Sequence, residues 1–236
     1  GSRLTVVIAG LFIACVAATS VLRVSMTEFA VPGYRSGTAA LAEMPPAYHD
    51  EYSYLFQAET FATGRLSFPS HPTAARMFDQ MHVLNEGNFA SRYFPGTGLW
   101  IAPFLILGEP YLAHWLATTI ICVFVFLIGR ELLCNGVGLL AGLLAALSPG
   151  LILFGNLLLA HQPTLVGLGL FIYSFLRMQR LLDEACNPDS SGAIRGAALA
   201  AAVSGVGLSF AMLCRPMTAA GVGLPFGVWL AWWLVR

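Results

Sequence analysis

Hydrophobic residues in this chain fall in long uninterrupted runs whose ends carry the charge, with neither the alternation of half-buried strands nor the stripe of a surface helix. Crossing about 30 Å of hydrocarbon takes about 20 residues of helix. Charge-free runs of that order lie at 4–22 between Arg3 and Arg23, at 110–129 between Glu109 and Arg130, at 196–214 between Arg195 and Arg215, and at 216–235 before Arg236. The stretch 132–176 is also uncharged but too long for one helix, and Ser148-Pro149-Gly150 and His161-Gln162-Pro163 divide it. The pattern predicts an all-α integral membrane protein with about six transmembrane helices, at 4–23, 110–130, 134–155, 161–180, 194–214 and 216–235. A large first loop occupies 24–109, and the whole of 1–236 reads as one module. The first run exceeds a signal-peptide core and lacks a small-residue cleavage site, so it reads as a retained anchor.

Composition narrows the function classes. Charged residues make up 10% of the chain, against about a quarter in a soluble domain, which excludes an ordinary cytosolic protein. All twelve basic residues are Arg and net charge is zero, so no polybasic surface is available for nucleic acid. The five cysteines, at 15, 122, 134, 186 and 214, stand singly, which argues against a disulfide framework or a thiolate metal site. Arginine also orients the spans, because cytoplasmic ends hold an excess of it. With the N-terminus inside, Arg3, Arg130, Arg177, Arg180, Arg195 and Arg236 share the inner side. The outer side then receives the loop, with eight acidic residues and four Arg, together with His161 and Arg215.

At over 80 residues the loop exceeds a connector and is expected to carry function. Pro45-Pro46 precedes a helical pattern over 49–63, in which Tyr52, Leu55, Phe56 and Ala62 share a face and Glu51 and Gln57 fall elsewhere. This predicts a helix along the membrane plane. The apolar segment 100–107, after Pro95-Gly96-Thr97-Gly98, is too short to span and is expected in the interface.

Polar groups with chemical capacity collect on this outer side. Asp50 and Glu51 open the loop helix, where they serve either as helix-capping acids or as a carboxylate base whose pKa partial desolvation raises. His71, His82 and Arg92 lie in the loop, His161-Gln162 begins a span, and Arg215 joins the last two. Arg215 runs against the inward bias of the other span-end arginines. It either snorkels to headgroups or grips an anionic substrate through its planar fork.

Asp50-Glu51-Tyr-Ser-Tyr-Leu-Phe-Gln-Ala-Glu-Thr-Phe-Ala-Thr-Gly-Arg-Leu, then Ser70-His71-Pro72, then Arg92-Tyr93-Phe94-Pro95-Gly96-Thr97-Gly98, resembles membrane glycosyltransferases of the C superfamily. The likeness is to bacterial protein-mannosyltransferase-like and aminoarabinose-transferase-like proteins. Members often have Tyr-Pro-Pro-Gly in the loop, where this chain has Phe94 at the second position. The resemblance implies an inverting transferase taking sugar from a polyprenyl-phosphate carrier to a glycan, lipid or protein acceptor. Its site would lie on the periplasmic side of the bacterial inner membrane. It implies Asp50 as catalytic base, with Glu51 orienting the acceptor or helping to hold Mg²⁺ or Mn²⁺. Arg215, Arg92, Tyr93, His161, Gln162, His71 and His82 would bind substrate, and His71 or His82 would complete a metal site. Adjacent carboxylates on a helix point about 100° apart, so Asp50 and Glu51 need not share an ion. Members carry further spans, so an N-terminal portion of a longer protein is expected. The competing reading is a non-catalytic protein, a lipid-linked-sugar transporter or an assembly subunit. Transporters place ionisable residues within spans, whereas here the single runs are uncharged.

Overall fold

The computed structural model describes residues 3–30, 37–185 and 191–235. Its elements are α1 (Arg3–Ser25), β1 (Glu28–Ala30), β2 (Thr38–Ala40), α2 (His49–Ala62), β3 (Phe68–Pro69), β4 (Val83–Asn85), β5 (Asn88–Ser91), α3 (Pro95–Ile106), α4 (Leu112–Leu132), α5 (Asn135–Ala146), α6 (Pro149–Gly155), α7 (His161–Ala185), α8 (Ser191–Cys214) and α9 (Pro216–Val235).

Four described helices, α1, α4, α7 and the part of α8 from Gly192, are long and apolar enough to cross a membrane. Large apolar side chains such as Leu4, Ile8, Leu11 and Phe12 point outward from α1, as a lipid environment requires. The expected span at 134–155 is broken into α5 and α6 with a 55° bend, and counts as a fifth crossing only if the pair is one span. The break falls at Ser148-Pro149, where proline has no N–H to continue the helix. The expected sixth span forms a helix, α9, that is not among those four. About six spans is thus more than the described helices establish.

Two contacts fix the direction of the central helices. Near the start of α4, His114 Nε2 pairs with the Leu159 carbonyl just before α7 at 2.8 Å. At the far end, the Glu131 carboxylate, 2% exposed, meets Arg130, Arg177 and Arg180 at 3.4, 3.7 and 3.1 Å. Helices α4 and α7 therefore run in the same direction, and three of the arginines expected together gather on one carboxylate. Arg236 and Cys186 lie outside the described residues. Cys15, Cys122, Cys134 and Cys214 are free thiols.

Small residues set the helix spacing. A Cβ on Gly207 of α8 would lie 2.7 Å from Phe171 N and 2.8 Å from the Gly167 carbonyl of α7. Backbones approach this closely only where side chains are absent. Gly207→Leu should force α8 away from α7 and cost about 1–3 kcal/mol or more, as overpacking does. The check is a thermal-unfolding comparison in detergent with Gly205→Leu, whose Cβ would meet open space.

The loop differs from the all-helical expectation. Strands β1 and β2 pair antiparallel, and β5 lies between β3 and β4, also antiparallel. With two to four residues each, they are too short to give a period-two signal. Gly87, with φ of +85°, supplies the left-handed residue of the β4–β5 hairpin.

Helix α2 matches the expected range, and the face that it turns into the protein is rich in polar groups. Glu51, Ser53, Tyr54, Gln57, Ala58 and Thr60 are buried, while Tyr52 is exposed and Leu55 and Phe56 are half-buried. Phe56 packs on Phe68 and Phe89 of the small sheet. Polar groups turn inward because the loop supplies hydrogen-bond partners there. Gln57 Nε2 donates to the Tyr93 carbonyl at 2.9 Å, and its Oε1 accepts from Gly98 N at 3.1 Å. Helix α3 starts with Pro95 at its first turn. Gly96 is required there, since a Cβ would lie 2.7 Å from Cys214 Sγ at the end of α8. This close approach brings Tyr93 and Phe94 beside Arg215.

A candidate active site where the loop meets the helix ends

Three separate segments enclose a cavity of about 340 Å³. The loop contributes Asp50, Tyr54, Tyr93 and Phe94, the turn into α7 ends in His161, and the α8–α9 joint presents Arg215 and Met217. Asp50, His161 and Arg215, far apart in sequence, share this cavity. The backbone of Arg215 is fixed at this joint, its N–H donating to the Ala211 carbonyl at 2.8 Å and its carbonyl accepting from Ala219 N at 3.0 Å. Among the described residues no carboxylate lies within ion-pair distance of its guanidinium. His161 is braced by the ring of Phe154, 4.7 Å away.

Asp50 does not cap α2. The cap position is Tyr48, and the Asp50 carboxylate, 44% exposed, lies 3.0 Å from His82 Nε2. It also pairs with the Tyr93 hydroxyl. Burial, then this bond and the Asp50 charge, push the Tyr93 phenol up to about 12, so it stays protonated and donates. The Tyr93 ring stacks on Tyr54 at 4.6 Å. Burial, with Tyr93 and Asp50 adding to it, raises the Tyr54 hydroxyl further above its ordinary value. Tyr93 and Tyr54 thus stand beside the carboxylate as neutral phenols.

Glu51 stands apart from the cavity and is fully buried. Its Oε1 accepts from Ala47 N at 2.9 Å and Tyr48 N at 3.1 Å, and its Oε2 accepts from Leu158 N at 2.7 Å. Both oxygens serve backbone donors, which fastens α2 to the turn before α7. Asp50 and Glu51 therefore do not converge, and the pair does not fit a shared Mg²⁺ or Mn²⁺. Among the described residues no group of three His, Cys, Asp or Glu is arranged to hold a metal ion.

Other expected substrate-binding residues scatter. Arg92 does not line the cavity, though its backbone N–H donates to the His82 carbonyl at 3.1 Å. Gln162 is buried and ties α7 to α6 through Leu151. His71 caps the turn at Thr73 and Ala74 through Nδ1 and stacks on Phe78, beside a different groove. The sequence reading missed Tyr54, Phe94 and Met217. For Tyr54 a signal was present, since it stands four residues after Asp50 and thus on the same helix face.

Comparison with family models, characterised proteins and solved structures finds no match to this chain.

Proposed function

We propose that this protein is a membrane glycosyltransferase that moves a sugar from a polyprenyl-phosphate carrier to an acceptor hydroxyl on the outer face of a bacterial inner membrane. The observation that carries this reading is the meeting of Asp50 and an ion-pair-free Arg215 in one cavity at the ends of apolar helices. A donor with its tail in lipid and its phosphate at the headgroups reaches that place without leaving the bilayer. Asp50 takes the proton of the acceptor hydroxyl, whose oxygen bonds the anomeric carbon from the face opposite the phosphate. The carbon–phosphate-oxygen bond breaks, its electron pair leaves on the lipid phosphate, and the sugar inverts. Arg215 stabilises the charge growing on that phosphate. Tyr93 and His161 surround the sugar, and Glu51 holds Asp50's helix in place. The acceptor is a glycan, lipid or protein.

The test supplies polyprenyl-phosphate sugars to purified protein and follows release of lipid phosphate. Arg215→Lys keeps the charge but loses the planar fork. Losing one charge-assisted hydrogen bond should raise the donor KM by about tenfold or more, with the acceptor's apparent affinity nearly unchanged. Carrier translocation without sugar release would overturn the reading in favour of a transporter. Orientation is tested by labelling single cysteines in intact cells. Positions in 64–88 should react, and those in 181–185 and 191–192 should not; the segment 186–190 between them lies outside the described residues.

A further inference from the structure

We propose that His82 is a positioning residue that fixes the Asp50 carboxylate for proton transfer, an inference that rests on the transferase reading. Its Nε2 approaches Asp50 Oδ1 at 3.0 Å. A carboxylate only accepts, so this nitrogen carries the proton and donates. The backbone that brings the ring there is left-handed, with φ of +65°. Among the described residues every other positive-φ position, Gly37, Gly64, Gly87 and Gly108, is glycine. A β-carbon is strained in this region, so a position needed only for turning the chain would be served better by glycine.

The strained residue is clamped from outside. Ser53 Oγ donates to the His82 carbonyl at 2.7 Å, and Arg92 N–H donates to the same oxygen at 3.1 Å. Ser91 Oγ lies 2.8 Å from Ser53 Oγ, and donates because Ser53's proton is already committed. Ser53 sits three residues after Asp50, on the same face of α2. One helix therefore carries the carboxylate and anchors the segment that carries its partner. The ring also packs near Tyr93, with centroids 5.4 Å apart, and is 25% exposed. Its Nδ1 is buried with no hydrogen-bond partner among the described residues, so Asp50 is the ring's hydrogen-bonded contact. With one carboxylate oxygen pinned, the other arrives at the acceptor hydroxyl in a set direction.

A structural role and a positioning role separate in two substitutions. His82→Gly removes the ring and the strain together, whereas His82→Gln keeps the strain and restores a side-chain N–H at similar reach. The probes are polyprenyl-phosphate mannose and polyprenyl-phosphate aminoarabinose, with lipid-phosphate release and thermal unfolding as readouts. His82→Gly should melt no lower than the native protein yet lose about 10- to 100-fold in kcat, with donor KM within about twofold. His82→Gln should recover most of the kcat without gaining stability. If His82→Gly fails to fold, His82→Asn replaces it, since Asn tolerates the left-handed region but falls short of Asp50. Activity that tracks melting temperature, or His82→Gln no better than the short variants, overturns the proposal. Asp50→Asn run alongside separates the two claims. No release by the native protein removes the transferase reading and this inference with it, and native activity in Asp50→Asn removes Asp50 as the base and so overturns this inference while the transferase reading stands. Loss in Asp50→Asn with native rates in His82→Gly overturns this inference alone.

Discussion

Asp50→Asn is expected to leave the protein folded while lowering turnover by about 10²–10⁴, the usual contribution of a general base. The helix cap belongs to Tyr48, so what Asn forfeits in stability is the Asp50 charge near the positive end of α2. For an acid 44% exposed, that interaction lies at the low end of about 0.3–1 kcal/mol. Asn keeps an oxygen to accept from His82 and Tyr93, so the arrangement around it should survive. What disappears is the capacity to take a proton from the acceptor. The measurement is single-turnover lipid-phosphate release, paired with a melting curve. Turnover near the native rate would remove Asp50 as the base and move the role to His161, because both Glu51 oxygens are committed to backbone N–H groups.

Glu51 should behave in the opposite way, with the loss falling on the fold. Glu51→Leu leaves the N–H groups of Ala47, Tyr48 and Leu158 without their acceptor. At about 1–3 kcal/mol for each buried orphan donor, the total of about 3–9 kcal/mol is a large share of a domain's stability. Glu51→Gln is the finer probe. Its amide oxygen can still accept from Ala47 and Tyr48, which leaves its NH₂ facing the Leu158 N–H, so the tie between α2 and the turn before α7 is lost selectively. Glu51→Gln should destabilise by about 1–3 kcal/mol, and Glu51→Leu should fail to give a monodisperse, cooperatively melting protein. If Glu51→Leu melts like the native protein while losing turnover, Glu51 belongs to the chemistry rather than to the scaffold.

These contrasting expectations for neighbouring residues show where sequence reading stops. Asp50 and Glu51 stand together in the first turn of the same helix, and their sequence context does not distinguish base from tether. The distinction comes from Leu158, 107 residues away, whose N–H claims Glu51, and from His82, which claims Asp50. Arg215 was legible because it broke the charge bias of the span ends. His71 carries the same residue type and the same loop context as His82. It is spent on the cap at Thr73 and Ala74, a difference that only the path of the loop decides.

By itself the sequence determined that the long charge-free runs are helices, because a backbone in hydrocarbon must satisfy its N–H and C=O groups internally and a helix does so within one segment. It also located α2, since proline pairs and polar–apolar spacing act over one or two turns. Tertiary structure alone decided which face of α2 turns inward and which two-to-four-residue segments pair as strands. It alone assembled Asp50, His82, Tyr93, His161 and Arg215 around one site. Those outcomes depend on close approaches such as Gly96 against Cys214 and Gly207 against α7. Such contacts join positions far apart in sequence, and hydrophobic periodicity encodes only what lies within a few residues of itself.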